Sequence, residues 1–392
     1  MLSEKEIEKL KNDALKILSP IKSADENTVA EKNFLFSALR SEAGRKLPQY
    51  YLVYFLLAEL LGFKNLGRFE KIAWSFPIDF NGKAFLIEFR KFGIGIFIQS
   101  EEDEPIARII ASKITGAVKK VQPYYSNIAE RAVDVGLINV RNNNRDLFDR
   151  YKYLRLMYDK QHALYIKNKD VVKTKKNFDK EGKFLSSTSS MIGYKYLKQA
   201  NWLAISCIEA FYSWTEHLFI HLAIVAHQLS DGQEITKLIE AEWKEKFNKA
   251  IPIGGKKIKK IYDELLIVRQ QLRNFVAHGA FGKSGNAFSF HSKTGAIPVL
   301  LNHEKIQNRF SLSGSLSFDD NSVMELIDEF IKYLWESSLY PAMYYTQKLN
   351  LPTIVTYAKN GQYKSGMDDF KTMEIFTDYL MHELDNAANM DW

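Results

Sequence analysis

The chain has 392 residues, 46% of them hydrophobic and 26% charged, which is typical of folded globular proteins and too long for one ordinary core. The net charge of +7 mildly favours an acidic partner such as nucleic acid. A single cysteine, Cys207, excludes an internal disulfide and a cysteine-based zinc site, and it fits a reducing compartment. Residues 1–6 form no apolar signal core, and the apolar run 50–61 is too short to span a bilayer. We therefore expect a soluble, cytoplasmic protein with no membrane partner.

The predicted fold class is mainly α with a small antiparallel β element. Residues 1–165 are expected to form an α+β domain, followed by an antiparallel helical bundle. Within the first domain, apolar residues recur at helical spacing over 3–18, 29–39, 49–61, 105–122 and 145–166. Between these segments, residues 74–99 alternate apolar and polar side chains, which predicts β-strands.

A β-hairpin is predicted around the dipeptide Asn81-Gly82, the strongest short turn signal. That turn fixes the register of the two strands, and the third strand is expected over 92–99. The expected cross-strand pairs are Phe80 with Lys83, Ile78 with Phe85, Phe76 with Ile87, and Trp74 with Phe89. One face of the hairpin is therefore apolar and should cover a core, while the other face should be solvated.

The polar face of this hairpin offers one alternative function, a metal-dependent nuclease site. Asp79 and the run Glu88-Phe89-Arg90-Lys91 faintly resemble the Asp…Glu-x-Lys pattern of restriction-type endonucleases. The predicted register places Ser75, not Asp79, opposite Glu88, so the carboxylates lie four residues (roughly 13 Å) apart. One Mg²⁺ cannot reach both at its ligand distance of about 2.1 Å. We expect no metal and no cofactor here, and a sensor or partner-docking role for residues 1–165.

Residues 166–190 are predicted to be a linker. The segment 167–183 carries seven lysines against three acidic residues, and five hydroxyl residues follow at 186–190. The simplest interpretation is a solvated, flexible connection. The alternative is that its lysines contact RNA phosphates without sequence preference.

The helical bundle is predicted over 191–349, with a C-terminal helical extension over 350–392. Its helices are expected at 194–229, 234–250, 256–272 and 319–347, and the extension contains an amphipathic run at 373–384. Glu209 lies in the apolar part of the first helix, so either it is buried with Arg269 or Arg273 as its partner, or it reaches the surface. His217 and His221 are half of a zinc site, but no well-placed third ligand completes it, which favours a structural role.

The third bundle helix opens with Lys256, Lys257, Lys259 and Lys260 and ends in Arg273-Asn274-Phe275-Val276-Ala277-His278-Gly279. Cations are disfavoured at a helix start, so the four lysines either bind RNA phosphates or are simply solvated. On one regular helix, Arg273 and His278 would point about 140° apart. They could act on one phosphate if the helix ends in a left-handed cap at Gly279, or if two subunits bring their motifs together across a twofold axis.

The motif Arg273-Asn274-x-x-x-His278, after two long apolar helices, resembles the HEPN superfamily (higher eukaryotes and prokaryotes nucleotide-binding domains) over about residues 191–349. The resemblance implies a dimeric, metal-independent endoribonuclease with RNA as its partner. It further implies a toxin or abortive-infection (antiviral defence) role, with an antitoxin or a phage-derived trigger protein as a possible partner. His278 would act as the base, and Arg273 would stabilise the negative charge on the phosphate. Asn274 would orient either His278 or the phosphate. The alternative is a non-catalytic HEPN-like module that binds a nucleotide, RNA or a protein.

Overall fold

The computed structural model describes residues 3–277, 289–292, 295–298 and 320–388, with side chains for 3–272 and 320–385. The protein is mainly helical with a small antiparallel sheet, so the predicted class is confirmed at this level. The chain divides into two compact units, one comprising Met1–Val133 and His382–Trp392, the other Asp134–Met381. Among the described residues, no helix combines the length and the apolar character needed to cross a bilayer.

The first unit is built on a five-stranded antiparallel sheet. In spatial order its strands are Ile21–Ser23, Ile72–Phe80, Lys83–Arg90, Gly93–Ile98 and Leu39–Arg40. Its longer helices are Glu4–Leu18, Tyr50–Tyr54 continuing as a π-helical stretch over Phe55–Leu60, and Glu104–Asp134. Ser3 begins the first of these with a capping box, which satisfies free N–H groups of the first turn.

The predicted hairpin is confirmed in all four cross-strand pairs, and Ser75 lies opposite Glu88 as expected. Asn81 and Gly82 both have positive φ, which the tight two-residue turn requires. Phe76, Ile78 and Phe85 are fully buried on the face that packs against the helices. The turn and the alternation together decided this register, because a slip by one residue would turn the apolar face to water.

The other face of the sheet is covered rather than solvated, which corrects the prediction. The helix expected at 29–39 is only Phe34–Ser37, with Phe34 buried against Leu86 and Phe97. Val29 instead pairs with the start of the strand Lys83–Arg90, its N–H donating to the Gly82 carbonyl at 2.8 Å and its carbonyl accepting from the Ala84 N–H at 2.9 Å. The segment therefore gives backbone hydrogen bonds to the sheet and buries Phe34 on the second face, whereas Val29 and Phe36 stay exposed. This arrangement leaves no long helix.

The second unit is a helical assembly around one long buried helix, Gly193–Val225, called here the central helix. Its other helices are Asn144–Asn168, Gly232–Glu240, Trp243–Ala250, Lys256–Ala277, Asp320–Glu336, Tyr340–Met343 continuing as a π-helical stretch over Tyr344–Lys348, Val355–Lys359, Gln362–Asp368 and Phe370–Ala388, whose end from His382 is grouped with the first unit. Short antiparallel pairs join Asn139–Val140 to Thr353–Ile354, and Ser289–Ser292 to Gly295–Pro298.

The predicted linker was wrong, and with it the domain boundary at 165. The units divide at 133/134, and the helix Asn144–Asn168 packs along the central helix. Residues 166–190 contain the end of that helix and most of an antiparallel hairpin, Val172–Phe178 with Phe184–Met191, called here the exposed hairpin. Its lysines all lie on one strand, opposite hydroxyl side chains, so no like charges face each other.

Three predicted helices differ in their continuity. The helix expected to end at 122 continues past Pro123 to Asp134. The helix expected over 234–250 is interrupted between Glu240 and Trp243, and the one expected over 319–347 is interrupted after Glu336. The extension 350–392 contains two short helices, Val355–Lys359 and Gln362–Asp368, before the longer Phe370–Ala388, within which the predicted segment 373–384 lies.

Candidate functional site

The helix Lys256–Ala277, called here the motif helix, is anchored along its apolar side. Ile261, Leu265, Val268 and Leu272 are buried in the core of the second unit, as their spacing predicted. The phenol of Tyr212 on the central helix donates to the Leu265 carbonyl at 2.7 Å. One turn further on, Arg269 pairs with Glu216. Both contacts join residues 53 positions apart, so the central and motif helices run parallel here.

A cluster of charges fixes the motif helix one turn before the motif. Glu216 accepts from Arg269 on the motif helix and lies 3.6 Å from the ammonium of Lys246, on a third helix. Lys246 is buried, so its charge depends on this carboxylate. The Arg269 guanidinium also lies 5.1 Å from the ring centre of Tyr212, a cation–π distance. One carboxylate and two cations leave a net positive charge at this point of the bundle.

Of the two alternatives for Glu209, the structure shows the second, a side chain at the surface, so this carboxylate does not support Arg269. Glu209 is exposed, and the partner of Arg269 is Glu216. The two acids are seven residues apart and so lie on nearly the same helix face. The sequence left open whether Glu209 pairs with an arginine or reaches the surface, because it is flanked by apolar residues. The register between the two helices, which decides the pairing, comes from the Tyr212–Leu265 contact and has no short-range signal.

The three predicted catalytic residues lie at and beyond the end of the described helix. The backbone is helical through Arg273 and Asn274 to Ala277. Position 273 is one turn beyond Arg269, and the constant offset between the helices places it level with Ile220 of the central helix. The side chains of Arg273 and Asn274, and the whole of His278, lie outside the described residues. The convergence of these three groups therefore stays a prediction.

The four lysines predicted to bind RNA are all exposed on the first turns of the motif helix. Lys257 lies 3.7 Å from Glu329, and Lys259 lies 2.5 Å from Asp263. Within the described part of the chain, Lys256 and Lys260 have no carboxylate partner. Ile258 between them is buried, so the lysines are held at the surface by a fixed first turn.

The pair His217 and His221 forms a structural network rather than half of a metal site. The backbone N–H of Asn143 donates to Nε2 of His217 at 2.9 Å, so this nitrogen is an acceptor. Nε2 of His221, 3.0 Å from the same atom, must then be the donor, and Nδ1 of His221 accepts from the Thr353 hydroxyl at 2.7 Å. In the part of the chain that the structure describes, no third potential metal ligand lies beside this pair.

Both imidazoles of this network are held neutral. Burial lowers the pKa of His217 from 6.5 to about 4. Burial, with a smaller contribution from the neighbouring His217, lowers the pKa of His221 to about 3. A proton on Nε2 of His217 would also remove the acceptor that Asn143 and His221 share. The network therefore joins three segments of the bundle only while both rings are uncharged.

Asp79 and Glu88, the alternative metal ligands, are occupied separately and buried. Glu88 accepts from the Ser75 hydroxyl at 2.7 Å and from Arg90 at 2.6 Å. Asp79 accepts from the Thr28 hydroxyl at 2.8 Å and from the Gly82 N–H at 2.9 Å. Each carboxylate thus has its own donors within the sheet, and the described residues contain no group of three potential metal ligands. This arrangement gives a metal-dependent nuclease no support.

The sequence was compared with protein-family models, with curated proteins and with solved structures, and none of the three comparisons found a match. The functional interpretation therefore depends on the residues of this chain and on their geometry.

Proposed function

We propose that this protein is a metal-independent endoribonuclease of the HEPN type. The observation that carries the proposal is the continuous helical backbone of Lys256–Ala277, whose last turns include positions 273 and 274, the first two of the motif. Tyr212 and Glu216 anchor that helix one to two turns earlier, which would limit the motion of the groups that act on the phosphate. Groups for RNA cleavage need such a rigid support.

The proposed reaction is transesterification within the RNA strand. His278 of one subunit removes the proton of a ribose 2′-hydroxyl, and the resulting oxygen attacks the adjacent phosphorus. The bond from phosphorus to the 5′-oxygen breaks, and that oxygen takes a proton from the His278 imidazolium of the second subunit. The products are a 2′,3′-cyclic phosphate and a 5′-hydroxyl end. Only RNA carries the attacking hydroxyl, so DNA is not a substrate.

The remaining groups of the motif would act on charge and orientation. Arg273, which is charged at every physiological pH, stabilises the negative charge that grows on the phosphorane oxygens. Asn274 orients His278 or the phosphate through its amide. The exposed Lys256 and Lys260 hold the RNA backbone through sequence-independent phosphate contacts. A nuclease of this kind needs restraint in its own cell, which fits an antiviral or toxin role with a separate trigger or antitoxin.

The test is RNA cleavage by the full chain in excess EDTA, followed by analysis of the product ends. We expect cleavage by the wild type with 2′,3′-cyclic phosphate ends. Arg273→Ala and His278→Ala should each reduce the rate by at least about a hundredfold, as expected when charge stabilisation or acid–base catalysis is removed. Arg150→Ala and His382→Ala are matched controls, since both side chains are exposed and outside the motif.

Three results would contradict the proposal. EDTA could abolish cleavage, His278→Ala could leave it intact, or RNA could bind without being cut under any condition. The last result would favour the non-catalytic binding module. Retained unfolding midpoints in the variants are required, so that loss of activity is not loss of fold.

A second experiment tests the dimer. If the His278 imidazoles of two subunits act as base and acid in one site, a mixed dimer of one wild-type and one His278→Ala chain lacks one of the two groups. We expect excess His278→Ala chain to reduce cleavage by the wild type as mixed dimers form. Unchanged cleavage per wild-type chain, although mixed dimers form, would show that the site lies within one subunit.

A further inference from the structure

The first unit contains a concave groove that the proposed nuclease does not use. It lies between the helix Glu104–Asp134 and the 3-10 turn Glu42–Lys46 and has a volume of about 530 Å³. Ligand pockets in proteins typically measure about 300–1,000 Å³, so the groove is large enough for a nucleotide-sized molecule. The residues of its lining that bear on recognition are Lys46, Arg108, Ser112, Thr115, Gly116 and Lys119.

The charge of this groove is positive and largely uncompensated. Lys46, Arg108 and Lys119 contribute three cations, and the lining contains no carboxylate. Arg108 lies 4.0 Å from Glu104, whose Oε1 already accepts the Ala43 N–H at 2.8 Å. In the part of the chain that the structure describes, neither Lys46 nor Lys119 is paired with a carboxylate.

Two lysines next to the groove, unlike Lys46 and Lys119, contact protein groups. Lys120 follows Lys119 directly on the same helix, yet it lies 3.1 Å from Asp13. Lys113 extends to the carbonyl of Ile17. The lysines that face the first helix are therefore engaged by protein groups. In the described residues, Lys46 and Lys119 of the groove have no carboxylate partner, and Arg108 has only the contact with Glu104 at 4.0 Å.

The groove also has a fixed floor of small and hydroxyl residues. Arg108, Ser112, Thr115 and Lys119 recur every three or four residues and so lie on one face of the helix, spanning about 16 Å. The position between them, Gly116, packs so closely on the first helix that an added Cβ would lie 3.2 Å from Cγ2 of Ile17. The floor is thus backed by another helix, with cations at both ends and hydroxyl groups in the middle.

We infer that this groove binds a small ligand that carries two or more phosphates, of the nucleotide class. Phosphate oxygens accept from ammonium and guanidinium groups and from hydroxyl donors, and the groove offers all three types, with Ser112 as its hydroxyl donor because the Thr115 hydroxyl donates to the Ala111 carbonyl at 2.7 Å. A single inorganic phosphate would occupy only part of the volume and would meet cations at only one end. The inference is independent of the proposed nuclease, whose residues belong to the other unit.

The experiment is calorimetric titration of the full chain with ATP, pyrophosphate and adenosine, all in EDTA. We expect ATP to bind, adenosine to bind at least about tenfold more weakly, and pyrophosphate to lie between them. The double variant Arg108→Ala/Lys119→Ala should weaken ATP binding by at least about tenfold, since it removes two charge-assisted donors to the phosphates. Ser112→Leu fills the groove without changing the charge, and it should weaken ATP more than pyrophosphate.

A matched control removes the same charge elsewhere in the unit. Lys64→Ala/Lys91→Ala replaces two exposed lysines outside the groove and should bind ATP as the wild type does. The inference is overturned if ATP does not bind, or if the two double variants weaken it equally, since the attraction would then be general. It is also overturned as a nucleotide site if ATP and pyrophosphate bind alike and Ser112→Leu affects neither, which would leave a site for free phosphate groups only. RNA cleavage by the Arg108→Ala/Lys119→Ala variant is measured in parallel. Because the groove and the nuclease motif use different residues, a failure of nucleotide binding is then distinguishable from a failure of the nuclease proposal.

Discussion

Two of the hairpins of this protein have the same topology and opposite chemistry. The hairpin Ile72–Phe80 with Lys83–Arg90 buries most of one face, and its second face is covered by the segment around Phe34. The hairpin Val172–Phe178 with Phe184–Met191 is exposed at every position. An isolated two-stranded hairpin is at best marginally stable in water. Burial of apolar side chains therefore explains why the first hairpin forms. The second hairpin lacks such burial, so we expect its role to be contact with a partner.

The largest expected effect separates the two hairpins by stability. Phe85→Ala, in the buried hairpin, should lower the free energy of unfolding by about 3–5 kcal/mol, because a fully buried aromatic side chain leaves a cavity. Phe178→Ala, at the end of the exposed hairpin, should change it by less than about 0.5 kcal/mol. Urea unfolding of both variants measures the difference. Equal decreases would show that the exposed hairpin is packed against something in solution.

The second effect concerns the pH-dependent stability of the two helices that the exposed hairpin connects. The hairpin joins the helix Asn144–Asn168 to the central helix, and His217 and His221 tie the far ends of these helices together through the Asn143 N–H. Their pKa values are lowered to about 4 and about 3, so the unfolded chain binds more protons than the folded one below pH 6.5. Stability is thus fully present above pH 6.5 and decreases as the pH falls toward these values.

The expected decrease in unfolding free energy between pH 7 and pH 5.5 is about 2 kcal/mol, since each unit of pKa difference contributes about 1.4 kcal/mol. Urea unfolding as a function of pH measures this decrease. The variant His217→Gln/His221→Gln should be less stable at pH 7 but lose little more on acidification. His382→Gln, at an exposed histidine, is the control and should follow the wild type. A wild type that is unaffected down to pH 5 would contradict the neutral network.

A third effect applies the same contrast between buried and exposed groups to the two carboxylates of the central helix. Glu216→Gln leaves the buried Lys246 without its charge partner and releases Arg269, so we expect a loss of about 1–2 kcal/mol, reduced by the partial exposure of Glu216. Glu209→Gln should be neutral, because Glu209 is exposed. Thermal unfolding compares the two. If the proposed function is correct, Glu216→Gln also slows RNA cleavage through a less fixed motif helix, whereas an equal response of both variants would contradict the assignment.

The contrast between the hairpins also shows what sequence could decide. The register around Asn81-Gly82 was predictable because a turn signal and an alternating apolar face both specified it. The exposed hairpin has no apolar face, so its lysine-rich composition resembled that of a flexible linker. Its signals were the turn Asp179–Gly182, in which Gly182 has positive φ, and the placement of hydroxyl residues opposite lysines. The pairing of Arg269 with Glu216 could not be predicted from the sequence, because it depends on the register between two helices that are far apart in the chain.

The smallest effect on stability, and the most specific for function, is expected from the lysines of the exposed hairpin. Lys173, Lys175 and Lys176 lie on one strand, and the opposite strand supplies Ser190, Thr188 and Ser187 as cross-strand partners. Such a surface offers cations and hydroxyl donors to phosphates, with no acidic side chain on either strand.

If the hairpin holds single-stranded RNA, replacing the three lysines by alanine should leave the unfolding free energy within about 0.5 kcal/mol of the wild type. RNA affinity should fall uniformly across sequences, and the slope of log K against log salt should decrease by about 2, near 0.7 for each phosphate that a lysine no longer neutralises. The measurement is RNA binding by the uncleaving His278→Ala background at several salt concentrations. Lys5→Ala/Lys9→Ala/Lys11→Ala, three exposed or partly exposed lysines of the first helix, is the charge-matched control. An unchanged slope in the hairpin variant would leave RNA binding to the motif helix alone and would assign the exposed hairpin to a different partner.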